Sequence, residues 1–429
     1  MRWLDSILIT GLLICGCINT KQNLSSQVCA VNDTNIIQQT LSNKTNVTVN
    51  TIIVNQTVSE EAEWSMSHHD LNHTGYTESH GPLKNDLKWI FKVPYTLFNG
   101  IWSSPAVYNG MIYFGSENNN TYALNITDGS LIWRFPTRDS IFSSPAISNG
   151  VIYIGSLDHQ VYALNVSTGA KIWDYTTDGM VFSSPAVSNG VIYIGSSNGG
   201  STESYNGSAY ALNASTGIVI WKVNINGGGS DPAVYNGIVY IESIGTYALN
   251  ASTGSILWNS TVGGGGSDPT IWNDMLFTGS NTGSVYALDL INGSSIWNFE
   301  TKEAIGSSPA IANGIIYFGS MAYTNTTQSK IYALNAINGL PIWSYNITGW
   351  VSNSPAIANG VVYVGAENNN NFNLIDHNLY AFNATTGTLI WNYTTNAGIT
   401  SSPVVVDGIV YVGTDYGSLY AFGPNITSK

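Results

Sequence analysis

Residues 142–173 read FSSPAISNGVIYIGSLDHQVYALNVSTGAKIW, and the fold is decided there. Phe142 to Ser148 has the make-up of a short strand. Asn149-Gly150 supplies a two-residue turn, because both residues tolerate positive φ, and Val151 to Ser156 is the return strand. Two further strands, Val161 to Asn165 and Lys171 to Tyr175, flank the turn Val166-Ser167-Thr168-Gly169. No helical period runs through the stretch, so it reads as a four-stranded antiparallel meander.

The same unit recurs along the chain. Its Ser-Ser-Pro or Ser-Asp-Pro marker, degraded to Asn-Ser-Pro once, places prolines at Pro105, Pro145, Pro185, Pro232, Pro269, Pro309, Pro355 and Pro403, spaced 40, 40, 47, 37, 40, 46 and 48. That is the period of four-stranded propeller blades, about 40–50 residues. A turn of the form Ala-x-Asn/Asp-x-x-x-Gly-x-x-x-Trp ends seven of the units, with its tryptophan at Trp133, Trp173, Trp221, Trp258, Trp297, Trp343 and Trp391. The Asx side chain can bond turn amides, glycine permits the left-handed backbone, and the indole can pack between blades with its N–H on a carbonyl. The eighth copy stops at Tyr420-Ala421-Phe422-Gly423-Pro424, one strand short. Residues 87–93 near the start have the missing outer-strand form, with Trp89 in the docking position. The expectation is an all-β, eight-bladed β-propeller over residues 64–424, closed by strand 87–93, with 64–86 as an entry segment and 425–429 as a short tail. Closure leaves no exposed sheet edge.

This tryptophan-bearing turn resembles the docking motif of the pyrroloquinoline-quinone-like (PQQ-like) propellers, a family of quinoprotein alcohol dehydrogenases and outer-membrane assembly scaffold lipoproteins. Trp64-x-Met66-x-His68-His69-Asp70 through His73-Thr74-Gly75 also resembles the entry segment of such proteins. The resemblance implies, for a dehydrogenase, vicinal cysteines under the quinone, a calcium held by Glu, Asn and Asp, and a catalytic Asp. The three cysteines here, Cys15, Cys17 and Cys29, all precede the repeats, and no motif marks the other ligands. The chain is closer in type to the scaffold lipoproteins, so neither catalytic residue nor cofactor is expected. PQQ with Ca²⁺ belongs to the alternative, dehydrogenase reading.

Composition narrows the partners. With 13 Lys plus Arg against 26 Asp plus Glu, the net charge of -13 leaves no cationic stripe for nucleic acid or anionic lipid. Residues 1–17 read as a signal peptide whose Ile14-Cys15-Gly16-Cys17 resembles a lipobox, making Cys17 the expected lipidated residue. Residues 18–63, rich in Asn, Thr and Ser, read as a flexible tether, and sequons including Asn23, Asn32, Asn43, Asn46 and Asn55 suit an exported, glycosylated chain. The expected location is the cell surface, with the membrane reached through the lipid anchor alone and the protein a monomer.

The candidate site is at the channel mouth. Just before the proline marker the units carry Trp102, Phe142 and Phe182, then Gly229, Gly266 and Gly306, and units four and five replace the second serine with Asp231 and Asp268. Arg138 and Trp350 lie in loops feeding the same face, which also receives inserts at 197–208, 321–330 and 367–378. Aromatic groups beside carboxylates suit a sugar, an aromatic cofactor or a peptide, and the expected partner is a protein, peptide or glycan; the plain alternative has the aromatics plugging the channel and the aspartates making turns. His68, His69, Asp70 and His73 have ligand-type spacing, and Asp231 with Asp268 could share Ca²⁺, but no metal is expected. The resulting reading is a non-catalytic binding or scaffold module, the alternatives being a quinone-dependent dehydrogenase or a passive surface-layer or adhesin-like component.

Overall fold

Backbone handedness at the turns shapes each blade. At the inner hairpin Asn149 and Gly150 take φ 51° and 74°, and the chain reverses within two residues. Seven units use an Asn-Gly or Asp-Gly pair there, whereas the fifth uses Asn273-Asp274, both left-handed. In a computed structural model the structure describes residues 64–198, 206–323, 328–368 and 375–424. The lipobox, the tether with its sequons, the tail and the centres of the three inserts lie outside the described residues. Among the described residues the chain forms eight four-stranded antiparallel blades, one of them extended by a short parallel fifth strand, and no helix.

Blade 2 shows the pattern: Ala146–Ser148, Val151–Gly155, Gln160–Asn165 and Lys171–Thr176 from the axis outward. The innermost strand is shorter than the expected Phe142–Ser148, for a physical reason. Pro145 has no N–H for a ladder, and the N–H of Ser144 is used between blades. It donates to Ser184 Oγ at 2.9 Å, as Ser104 N–H does to Ser144 Oγ at 2.9 Å. The residue before each marker proline repeats this bond, through Ser184 to Asp231, Asp231 to Asp268, Asp268 to Ser308, Ser308 to Ser354, Ser354 to Ser402 and Ser402 back to Ser104. Eight backbone donors and eight side chains thus close a ring around the axis.

The outer seams are held by the tryptophans. In every blade the register of the third and fourth strands slips just before the indole, a bulge that re-aims it. Trp133 Nε1 donates to Val166 O of the next blade at 3.0 Å, and Tyr113 OH reaches the same carbonyl at 3.3 Å. Gly169 lies under the Trp133 ring, where a Cβ would come within 2.6 Å. The glycine of the docking turn is therefore required twice, by its φ of 68° and by the ring above it. The buried clusters follow these seams: Tyr113 and Trp133 of blade 1 pack with Ile152, Ile154 and Leu164 of blade 2.

The ring closes as expected from the sequence. Leu87–Lys92 pairs antiparallel with Ser418–Phe422, and Val93 N–H continues the ladder to Gly417 O at 2.9 Å. Trp89 docks on Ile126 O of blade 1 at 3.1 Å. Blade 8 has no third-to-fourth turn to receive Trp391, so Pro82 O accepts from both Trp391 Nε1 and Tyr363 OH, each at 2.9 Å.

The entry segment does more than lead in. The carbonyls of Trp64, Ser65, Leu71, Asn72, Thr74 and Gly75 accept from Val107, Ile147, Val234, Ile271, Ile311 and Ile357, the middle residues of six inner strands. Tyr76–Thr77 then pairs parallel with Ala356–Ala358. The segment circles the axis and covers the channel on the side of the inner hairpins.

Candidate functional site

A channel floored at one end leaves one mouth, on the face that carries the inserts. Between floor and mouth is a space of about 180 Å³, with Ser67 and His68 below, the serine-aspartate ring as its wall, and Trp102, Phe142, Phe182, Gly266, Gly306, Ser352 and Thr400 at the rim. Trp102 and Phe142 lie 5.8 Å apart, Phe142 and Phe182 5.7 Å. They form an exposed arc along blades 1 to 3 and leave the opposite rim free.

That opposite rim opens into a larger cavity of about 770 Å³ between blades 4 and 5, lined by Phe182, Gly227–Gly229, Asp231, Glu242, Gly264–Gly266, Asp268 and Asn281. Sequence deviations account for it. In six seams a β-branched residue (Ile101, Ile141, Val181, Ile305, Val351 or Ile399) packs against a glycine that ends the second strand of the preceding blade, leaving no room for a Cβ. Blades 4 and 5 carry Gly228-Gly229 and Gly265-Gly266 where the others have this residue and its neighbour. Blade 6 also has a rim glycine, but Met321 fills the space at Gly306.

Glu242 stands where the other seven blades have Gly115, Gly155, Gly195, Gly279, Gly319, Gly365 and Gly413. Its backbone keeps their role, with Glu242 N–H donating to Ser230 Oγ at 3.0 Å as Gly155 N–H does to Ser143 Oγ. The side chain is 1% exposed. Oε1 accepts from Thr246 Oγ1 at 2.7 Å, whereas Oε2 is buried with no hydrogen-bond partner. Such an unmet group costs about 1–3 kcal/mol. Burial, reinforced by the charge of Asp268 and opposed by the bond from Thr246 and by the nearby Thr278 hydroxyl and Gly264 N–H, pushes the Glu242 carboxyl up to about 8. Sequence reading passed over this residue, although its signal, one Glu in a column of glycines, is visible once the repeats are superposed.

Asp231 and Asp268 meet His68 at the neck. His68 Nε2 lies 2.9 Å from Asp268 Oδ2, which also accepts from Ser308 Oγ at 2.9 Å, while Asp268 Oδ1 accepts from Asp231 N–H at 2.9 Å. Burial opposes charge on both partners, but their mutual attraction outweighs it, raising the His68 pKa and lowering that of Asp268. Burial and the neighbouring Asp268 push Asp231 up to about 7. One atom from each of the three lies within 4.8 Å of the others, a spacing a cation can use, yet both Asp268 oxygens already accept hydrogen bonds. The four residues with ligand-type spacing in the sequence split into two pairs: His69 faces Asp70 at 3.7 Å, while His73, its ring 5.0 Å from that of His68, donates from Nδ1 to Pro269 O at 3.0 Å, its pKa lowered to about 4 by burial and the charge of His68.

Of the candidate residues, Trp102, Phe142, Phe182, Asp231 and Asp268 share the channel. Arg138 lies elsewhere, in an outer cleft with Gln160, Tyr162 and Lys171. Trp350 packs on the first residues of the blade 6 insert, its indole on Ala322 O at 2.9 Å and its ring 5.1 Å from Tyr323. It is two residues before the rim position, which Ser352 occupies. A second set of buried carboxyls, also missed in the sequence, is on this face: burial pushes Glu367 up to about 7 and, with the charge of Glu117, Asp415 up to about 6.

The family model described as outer membrane protein assembly factor BamB matches residues 64–204, 205–318 and 281–425. The chain belongs to the PQQ-like propeller family. Solved structures with this fold include quinohemoprotein alcohol dehydrogenase ADHIIG from Pseudomonas putida HK5, at TM-score 0.71 and 16% identity, covering 86% of this chain and 81% of that one. A europium-containing methanol dehydrogenase superposes at TM-score 0.69 and 16% identity over 85% of this chain and 98% of that one. BamB from Moraxella catarrhalis does so at TM-score 0.62 and 17% identity over 79% and 99%. None of the curated protein sequences matches the chain. The PQQ-like family thus contributes the architecture, and its solved members include both dehydrogenases and an assembly factor.

The quinone gives a direct chemical test of the site. PQQ carries three carboxylates. Among the described residues lining the channel and its side cavity, the acidic groups are Asp231, Asp268 and Glu242, and the one basic group, His68, is bound to Asp268. This donor set does not suit a trianionic cofactor, because every added negative charge meets buried carboxyls rather than Lys or Arg.

Proposed function

We propose that the protein is an exported, lipid-anchored, non-catalytic binding module that presents its insert-bearing face to a partner at the cell surface. The observation that carries this reading is the channel: sealed by its own entry segment, it opens on one face only, through an aromatic arc into an acidic cavity. The same face exposes Tyr95, Leu97, Phe98 and Tyr416, apolar groups that a protein or peptide can cover. Membership in a family whose model is described as an assembly factor supports a partner-binding role, and the signal-like residues 1–17 support export. Protein or peptide suits this face better than a passive coat, which has no use for a built cavity.

The test pairs two titrations of the propeller. A thermal-shift titration with PQQ and Ca²⁺ is expected to leave the melting temperature unchanged, because the acidic site repels the quinone, whereas a native-state ligand at 100 times its Kd would add a readily seen ~2.7 kcal/mol. A clear shift overturns the reading and directs attention to alcohol oxidation. Cross-linking at the exported surface should then capture discrete neighbours that are lost when Trp102, Phe142 and Phe182 are changed to Ser. An unchanged capture pattern counts equally against it.

A further inference from the structure

We propose that the cavity between blades 4 and 5 is a binding site for a primary ammonium group, with Glu242 as its anchoring carboxylate. The inference rests on the binding-module reading above and names the chemistry that the acidic cavity recognises.

Three observations converge. The first is construction: the space exists because Gly228-Gly229 and Gly265-Gly266 replace bulky residues in two adjacent blades, and among the described residues no side chain fills the gap as Met321 does in blade 6. The second is the side chain placed there. Glu242 replaces a glycine found in the seven other blades, is 1% exposed, lines the cavity, and keeps one buried oxygen without a hydrogen-bond partner. Gly265 across the seam lifts the packing that holds glycine in six of the other blades, and the freed position carries a carboxylate rather than an apolar filler. The third is charge: Glu242, Asp231 and Asp268 all line the cavity, and among the described residues no Lys or Arg lines it.

An ammonium group answers each of these. It donates three hydrogen bonds, so it can satisfy Glu242 Oε2 and still reach the open backbone of the glycine segments. It adds the positive charge that buried carboxyls lack. Phe182, 44% exposed, lines the same cavity and adds an aromatic ring of the kind that attracts a cation. At about 770 Å³ the cavity holds an organic amine and not merely a bare ion.

The charged group that faces Glu242 is Asp268 of blade 5; Asp231 of its own blade also lines the cavity, with His68 behind Asp268. Because burial holds Glu242 protonated up to about pH 8, an ammonium ligand must displace a proton. Affinity should rise with pH below that value, by up to about tenfold per unit for one proton released.

Calorimetric titration of the full chain with spermidine, at pH 6 and pH 7.5 and in buffers of different ionisation heat, tests this. Binding should strengthen several-fold at the higher pH and release close to one proton. Glu242→Gln should weaken it at least tenfold and abolish the release. Glu242→Gly, which restores the residue of the other blades and so preserves folding, should do the same. Absent binding, equal affinity in both variants, or Glu242-dependent binding of glucose or Ca²⁺ in place of spermidine overturns the proposal. A parallel titration with PQQ and Ca²⁺ separates the two readings: heat there sinks the binding module, whereas silence with both ligands sinks only the ammonium site.

Discussion

Two aspartates in equivalent positions of neighbouring blades have different lives. Asp231 and Asp268 both close the ring of bonds about the axis, accepting from Ser184 N–H at 2.6 Å and from Asp231 N–H at 2.9 Å. Burial keeps Asp231 protonated up to about pH 7, so its neutral form already resembles an asparagine. Asp268 is held ionised by His68. Asp231→Asn is therefore expected to leave the melting temperature within about 2 °C of the parent, since the amide oxygen keeps the ring bond. Asp268→Asn strands the buried His68 and should destabilise toward the lower end of the ~3–5 kcal/mol typical of a broken buried pair, as Asp268 retains 20% side-chain exposure. Differential melting of the two variants checks this; equal, small losses would mean that the pair adds nothing. The buried carboxyls also set a pH dependence. Glu242, Asp231, Glu367 and Asp415 are raised to about 8, 7, 7 and 6. Between their ordinary range and those values the folded chain binds more protons than the unfolded chain, so stability falls as pH rises. The melting temperature should be higher at pH 5 than at pH 8, and a Glu242→Gln, Glu367→Gln double variant should flatten the slope.

At the scale of the element, legibility in the sequence depended on whether an interaction repeats. The tryptophan turn recurs at a fixed offset, so its spacing revealed each seam before any coordinate, down to the indole on a neighbouring carbonyl. The serine marker recurs equally well. Its partner does not lie nearby in sequence: Ser104 and Ser144 are 40 residues apart and Ser402 and Ser104 298, so the ring of bonds became visible only with the blades arranged. The innermost strand was read too long for the same reason, as Ser143-Ser144-Pro145 looks extended but spends its donor between blades. Glu242 was missed because a single departure in a column means little until the residue across the seam, Gly265, is known to have departed as well. The ring itself can be probed. Ser144→Ala removes the acceptor for Ser104 N–H, leaving a buried donor unmet, and should cost about 1–3 kcal/mol. Ser144→Thr, which keeps the hydroxyl, should recover most of it. Urea titration of both variants decides the matter, and a neutral Ser144→Ala would show that water replaces the hydroxyl.

At the scale of the whole molecule, the ring is closed by a strand borrowed from the far end of the chain. Gly423 N–H donates to Asp86 O at 2.9 Å, and Phe422 pairs with Leu87. In the other seven blades a short turn joins the corresponding strands, so linking Gly423 to Leu87 by such a turn would rebuild blade 8 as a continuous meander. The new termini would lie in the exposed loop holding Tyr95, Leu97 and Phe98. Seven docking turns provide, in the residue after their Asx, the carbonyl that receives an indole, and in blade 8 Pro82 O stands in for it. A transplanted Asn-Ala-Ser-Thr-Gly turn therefore supplies the acceptor for Trp391 and Tyr363 even though residues 64–86 are gone. The permuted propeller, running from Gly100 to Gly423 and then through the turn to Val93, is expected to be monomeric on gel filtration and to melt in a single transition. Its channel is open at both ends, because nothing then circles the inner strands. Aggregation of this permutant, against a well-behaved parent, would mean that the entry segment, and not strand closure, holds the eight blades together. Adding a peptide of residues 64–86 in trans distinguishes the two: it should rescue only a ring that depends on the plug.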